Sequence, residues 1–224
     1  MQYEVIIPAA GSGRRMQAGQ NKLLLDLQGK TIIERTVQVF CADSNCDKVI
    51  LAIKPDEEVL MRQLFSPLGE KITFVYGGSE RQRSVQEGLR SVSAGCKVVL
   101  VHDGARPFVQ LSQISELVAI ATQAGSAVLA VRVKDTIKRV QQSIIQETVD
   151  REQLWAMQTP QAFRTEILRE AHEWAVRNNF WGTDEASLVE QLDYPIQIVE
   201  GSYHNIKITT VEDMLFAQAI LSNF

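Results

Sequence analysis

The sequence predicts an α/β chain built on a doubly wound, mostly parallel sheet, and three observations carry that prediction. Short β-branched apolar runs alternate with helix-length segments of 3.6-residue spacing. The runs are apolar on both faces, as strands covered by helices on both sides must be. The unusual small and charged clusters fall just after the runs, where open α/β sheets bind their ligands.

The elements follow in order. Tyr3–Pro8 is a β-branched strand ended by Pro8. Residues 31–40 have helical spacing at Ile32, Ile33, Val37 and Phe40, and residues 48–53 form the next strand. Pro55 and the acidic residues after it signal a helix over 56–65. Residues 72–76 are a strand that leads through Gly77-Gly78 into a helix over about 80–92. A strand at 98–101, a helix at 111–123 and a strand at 126–131 complete the regular alternation. The rhythm then breaks. Residues 135–140 and 144–149 are short β-like runs around Gln141-Gln142-Ser143, polar at alternate positions. A hairpin of that kind is marginal alone, so it is predicted to project as an arm and pack on another subunit. Helices over 164–177 and 183–190, a strand over 196–199 and a closing helix over 211–221 follow. No linker, repeat or low-complexity tract interrupts the chain, which predicts one domain over residues 1–224 with residues 133–155 as a dimerisation arm.

Bulk properties exclude several classes. A net charge of −4 argues against general nucleic-acid affinity, so basic residues must act in local clusters. Cys41, Cys46 and Cys96 form no C-x-x-C pair and lack nearby histidines, which predicts reduced thiols in a cytoplasmic protein. No apolar run reaches membrane-spanning length, and the first strand is too short for a signal peptide.

The chemistry gathers at strand ends. Pro8-Ala9-Ala10-Gly11-Ser12-Gly13-Arg14-Arg15-Met16, with Lys22 beyond, is a loop of small side chains followed by cations. Such a loop leaves backbone N–H groups open to phosphate oxygens. It is not the dinucleotide fingerprint, because Met16 stands where the third glycine belongs, and it is not a Walker A loop, because Lys22 is flanked by Asn21 and Leu23. Further clusters are Gly77-Gly78-Ser79-Glu80-Arg81-Gln82-Arg83-Ser84 and His102-Asp103-Gly104-Ala105-Arg106. Loops are also predicted at Lys134-Asp135-Thr136, Asp150-Arg151, Gln158-Thr159-Pro160-Gln161, Thr183-Asp184-Glu185 and Asn205-Ile206-Lys207. Each has a plainer reading. Ser79 reads as a helix N-cap with Gln82 completing a capping box. Asp103 reads equally as a loop cap, His102 as a structural hydrogen-bonding residue, and Arg81 and Arg83 as solvated helix charges. Asp184 and Glu185 read as the start of a helix. No Ser/His/Asp set suggests a covalent hydrolytic route.

Taken together, PAAGSGRRM, GGSERQRSV, VHDGARPF, DTIKR, TPQAF, TDEAS and NIKIT make the chain resemble the 2-C-methyl-D-erythritol 4-phosphate cytidylyltransferase family of the non-mevalonate isoprenoid pathway, over essentially its whole length. One departure is that the lysine usually set between proline and glutamine sits here as Asn21-Lys22-Leu23, which keeps the charge. The resemblance implies a Rossmann-like nucleotidyltransferase that transfers CMP from CTP to methylerythritol phosphate and releases pyrophosphate. It implies Mg²⁺ held chiefly by phosphates and water, with no protein ligand named, and a homodimer whose arm is shared between subunits. By matching position, Arg15 and Lys22 would stabilise charge in the transition state, and Arg151 and Lys207 would hold the methylerythritol phosphate. Ala9, Ala10, Gly11, Gly78 and Ser84 would line the cytidine and phosphate pocket. Asp103, Arg106 and Thr136 would contact the polyol, and Thr159 its phosphate end, with Arg151 and Thr159 acting in the partner's site. Three rivals stand beside this reading. A relative acting on ribitol 5-phosphate, or a sugar-activating enzyme of similar fold, is disfavoured by Pro-Ala-Ala-Gly in the first loop, and a nicotinamide oxidoreductase by the missing glycine and the cationic loops. A non-catalytic nucleotide-binding module is disfavoured because a binder need not keep Arg15, Lys22, Arg151 and Lys207 together.

Overall fold

A computed structural model describes residues 1–11 and 21–222. Its first strand, β1 (Tyr3–Pro8), is buried on both faces and lies in the interior of the main sheet. A small hairpin, β2 (Asp26–Leu27) and β3 (Lys30–Thr31), precedes α1 (Ile32–Ala42). Thr31 and Glu34 close a reciprocal capping box at the start of α1. Then come β4 (Cys46–Ile53), α2 (Glu58–Phe65), β5 (Ile72–Tyr76), α3 (Arg81–Arg90) and β6 (Val98–Val101). After these lie α4 (Leu111–Ala124), β7 (Ser126–Arg132), β8 (Ile137–Gln141) and β9 (Ile144–Val149). The chain closes through β10 (Trp155–Arg164), α5 (Thr165–Arg177), α6 (Glu185–Val189), β11 (Gln197–Glu200) and α7 (Val211–Leu221).

Among the described residues, seven strands form one sheet in the order β11-β7-β10-β6-β1-β4-β5. β10 runs antiparallel to both β6 and β7, and the other pairs are parallel. The chain winds from β1 outward through β4 and β5, then returns to the opposite side of β1 with β6. That reversal is the switch point where open sheets of this type place a ligand crevice. Alternation along the strands divides the core in two. Val5 and Ile7 pack with α1 and α4 residues on one face, while Ile6 packs with α3 and α5 residues on the other. Gly88 lets α3 approach closely: a Cβ there would lie 2.5 Å from Ile6 Cγ2.

β10 is the main correction to the sequence reading, which placed residues 158–161 in a loop. Pro160 and its polar neighbours read as a strand breaker. The strand absorbs them through a break in register with β7 between Met157 and Gln161. The arm takes the predicted hairpin form, with Gln141 paired to Ile144. Gln142 and Ser143 both have positive φ, 49° and 64°, as a two-residue turn between right-twisted strands requires. Val140, Ile144 and Ile145 on the arm are exposed. No described helix is long and apolar enough to cross a membrane.

Candidate active site

The predicted first loop leaves β1 under tight control. The backbone N–H of Ala9 donates to the Ala52 carbonyl at 2.7 Å, and Ala9 is fully buried. Its methyl group therefore lies beneath the crevice rather than lining it, which corrects its assignment to the pocket wall. Ala10 and Gly11 do line the crevice. Residues 12–20, with Arg15 among them, lie outside the described residues. The chain is described again at Asn21, whose buried side chain ties the two ends of the loop. Its Nδ2 donates to the Ala9 carbonyl at 3.0 Å and to Glu57 at 2.9 Å, while its Oδ1 accepts from the Leu23 N–H at 3.1 Å. Leu23 is anchored in the core. The departure from the family pattern around Lys22 is thus a polar clamp before it and an apolar anchor after it. Between them, Lys22 Nζ donates to the Ile208 carbonyl at 2.7 Å.

The second loop packs against the first. A Cβ on Gly77 would meet Ala10 Cβ at 2.6 Å and Ser84 Oγ at 2.8 Å, so only a residue without a side chain fits this crossing. The predicted cap at Ser79 is not formed. Glu80 is the N-cap of α3 and makes no side-chain capping bond. Ser84 Oγ donates back to the Glu80 carbonyl at 3.1 Å. Gln82 instead secures a distant loop, donating to the Phe180 carbonyl at 3.1 Å and accepting from the Gly182 N–H at 3.0 Å.

The third loop, at the end of β6, carries the densest charge. Asp103 is 8% exposed, and both of its carboxylate oxygens are engaged. Arg81 Nε donates to one at 3.0 Å, Lys207 Nζ reaches the other at 2.7 Å, and Arg106 Nε stands 3.8 Å from it. Burial opposes ionisation of Asp103, but Arg81, Lys207 and Arg106 together hold its carboxyl well below the usual carboxylate range. Arg81 continues outward to Glu185, which its Nη1 grips at 2.9 and 2.8 Å. Glu185 is 1% exposed, and burial raises its carboxyl above the ordinary value, partly offset by Arg81. Arg81 is therefore no solvated helix charge but a cross-link between two buried carboxylates. Asp184 forms the predicted helix start, capping α6 through Ser187.

Two adjoining cavities share Arg81, Asp103 and Lys207 as walls. The larger, about 460 Å³, also meets Ala10, Gly11, Lys22, Gly78 and Ser84. The smaller, about 180 Å³, also meets Arg106, Thr159, Gln161 and Asp184. Thr159 is buried in its own chain, where its Oγ accepts from the Asp103 N–H at 2.9 Å. The expectation that Thr159 reaches a partner's site is corrected accordingly. Asn205 supports the same wall, donating to Gln158 at 3.2 Å and to the Thr159 carbonyl at 2.9 Å, while its own carbonyl accepts from Arg106 at 2.6 Å.

Thr136 and Arg151 line neither cavity and are exposed at the root of the arm. There Arg151 donates to the Lys134 carbonyl. Arg132 stacks over the Trp155 ring at 4.5 Å, and Lys134 over the Tyr203 ring at 3.3 Å. Sequence reasoning missed Arg81 with Glu185, and Asn21. The signals available were an arginine opening the helix after a glycine pair, and an acid at the first position of α6 followed by Ala186, Leu188 and Val189.

Comparisons with known proteins bear on what this crevice does. A family model described as 2-C-methyl-D-erythritol 4-phosphate cytidylyltransferase matches residues 3–223. A protein of that name from Bacillus velezensis is 54% identical over 224 residues, which is 99% of this chain and 96% of the relative. One from Geobacillus thermodenitrificans is 49% identical over 225 residues, covering 100% of this chain and 98% of its own. Among solved structures, the enzyme of that name from Thermus thermophilus superposes with a TM-score of 0.84 at 35% identity, covering 100% of both chains. A 4-diphosphocytidyl-2C-methyl-D-erythritol synthase from Anaerococcus prevotii gives a TM-score of 0.88 at 31% identity, covering 99% of this chain and 96% of that one.

Proposed function

The chain belongs to the 2-C-methyl-D-erythritol 4-phosphate cytidylyltransferase family, and from that premise we propose how its residues divide the work. The enzyme transfers CMP from CTP to methylerythritol phosphate, a step of isoprenoid precursor synthesis, and releases pyrophosphate. The attacking group is a phosphate oxygen that is already ionised near neutral pH, so no side chain has to remove a proton. The barrier lies in bringing two polyanions together and accommodating new charge at the α-phosphorus. Positioning and fixed positive charge are the means suited to that problem.

The carrying observation is that Lys22 and Lys207, from loops far apart in sequence, face one crevice at the switch point of the sheet. On this reading CTP occupies the larger cavity. Ala10, Gly11, Gly78 and Ser84 make room there for a pyrimidine, and Lys22, with Arg15, meets the triphosphate. Methylerythritol phosphate takes the smaller cavity beside Asp103, Arg106 and Thr159, held by Lys207. Arg151 and Thr136, which line neither cavity of their own chain, would be delivered by the arm to the site of a partner in a homodimer. The exposed apolar residues of the arm support that arrangement. A cytoplasmic location is part of the same proposal, supported by the biosynthetic reaction of the family and by the free cysteines.

Magnesium fits this site as a passenger of the nucleotide. Both oxygens of Asp103 and both of Glu185 are taken by cations. Among the described residues, no three His, Cys, Asp or Glu side chains gather into a metal cage. The donors present therefore suit an ion carried by phosphate oxygens and water. When bound, it would offset charge on the triphosphate beside Lys22.

Mixing subunits tests the shared site. Lys22→Ala and Arg151→Ala proteins, each inactive alone, are unfolded together at equal amounts and refolded. Random pairing makes half the dimers mixed, each with one intact site, so about a quarter of wild-type turnover should return. Turnover that stays at the level of the separate variants contradicts sharing of the arm.

A further inference from the structure

His102 is fully buried at the end of β6, touches the Phe40 ring edge-on at 5.0 Å, and lines neither cavity. Its two ring nitrogens nevertheless hold two parts of the site. Nε2 lies 2.9 Å from the Arg106 carbonyl, and Nδ1 lies 3.2 Å from Thr159 Oγ. A carbonyl only accepts, so Nε2 must carry the proton. Burial, the largest influence on this ring, lowers its pKa to about 4 and keeps it neutral near pH 7. Nδ1 is then an acceptor, and the Thr159 hydroxyl must donate to it.

The same hydroxyl oxygen accepts from the Asp103 N–H. One lone pair and its single proton are thus committed, and Thr159 has only its remaining lone pair to offer the cavity. A phosphate oxygen needs a donor, whereas a substrate hydroxyl can supply one.

We propose that His102 is a positioning residue for cytidylyl transfer: as the Nε2–H tautomer it joins the two ends of the loop carrying Asp103 and Arg106, and it turns the Thr159 hydroxyl so that Thr159 accepts from a polyol hydroxyl of the substrate instead of donating to its phosphate. The inference rests on placing methylerythritol phosphate in the smaller cavity. It assigns to a residue remote from both substrates the hydrogen-bond polarity of one wall.

The test uses the full-length enzyme and steady-state kinetics with both substrates. Wild-type turnover checks the family reaction separately, so failure of the His102 variants leaves that reading intact. His102→Phe preserves the ring and its edge contact but removes both hydrogen bonds. It should raise KM for methylerythritol phosphate about tenfold while KM for CTP stays near wild type. His102→Gln restores a donor and an acceptor and should recover most of that loss. Thr159→Val should by itself raise KM for methylerythritol phosphate by a similar factor and should add nothing in the His102→Phe background, because the hydroxyl is already misdirected. Multiplying losses in the double variant, or equal losses from Phe and Gln, would overturn the proposal. Should His102→Phe fail to fold, ¹⁵N NMR of the wild-type ring decides: an Nε2–H tautomer is expected, and an Nδ1–H tautomer overturns it.

Discussion

Lys22→Ala is expected to lower kcat by about a hundredfold or more, the loss seen when one fixed charge or donor is taken from a transition state. The lysine sits where β1 delivers the chain to the crevice, and its neighbours prevent it from drifting. Asn21 is hydrogen-bonded to the Ala9 carbonyl on one side, and Leu23 is buried on the other. The ammonium is drawn over the cavity through its bond to the Ile208 carbonyl, one residue beyond Lys207. The hydrogen bond to the Ile208 carbonyl is worth only about 1 kcal/mol of stability. The kinetic effect should therefore far exceed the change in folding. KM for CTP should move less than kcat, because the charge that Lys22 answers grows as the α-phosphorus is attacked. A rate unchanged by Lys22→Ala removes this residue from the mechanism.

Arg81→Met is expected to have the largest effect on stability, a loss of roughly 3–5 kcal/mol in urea or thermal unfolding, the usual cost of stripping the partner from a buried charge. The guanidinium spans Asp103, in the loop after β6, and Glu185, at the start of α6. Methionine fills a similar volume but leaves Glu185 buried without its cation. Adding Glu185→Leu removes the orphaned carboxylate and should return most of the lost stability. Activity should stay low in the double variant, since Asp103 still lacks the cation that sets its orientation opposite Lys207. A loss below about 1 kcal/mol for Arg81→Met would mean that the pair behaves like a solvated surface salt bridge.

Much of the architecture can be read from local pattern. The bounds of β1, β5, β6 and α7 match the sequence reading residue for residue, because apolar runs there end at Pro8, Gly77 and polar loops. β10 could not be read in this way. Its stability comes from pairing with two distant strands, while Pro160 and its polar neighbours argue locally for a loop. The loops that gather at the crevice were legible because small and cationic residues cluster after apolar runs. The contacts among them were not. Arg81 and Glu185 are 104 residues apart, and no spacing rule joins them. Ser79 was misread because the sequence offered a plausible capping box, whereas the backbone placed Glu80 at the cap and turned Ser84 back on its own helix. Thr159 was assigned to a partner's site along with Arg151. Its place inside β10 puts it against Asp103 of its own chain.

The central claim is that cations from separate loops hold two polyanions against each other at the rim of the sheet. Its most direct test is a crystal structure with methylerythritol phosphate and a non-hydrolysable CTP analogue bound together. The account predicts the Lys22 ammonium on the triphosphate, the Lys207 ammonium on the methylerythritol phosphate, and an Arg151 guanidinium arriving from the second subunit. Phosphates that bind away from both ammonium groups, with Lys22 still on the Ile208 carbonyl and Lys207 still on Asp103, would contradict it.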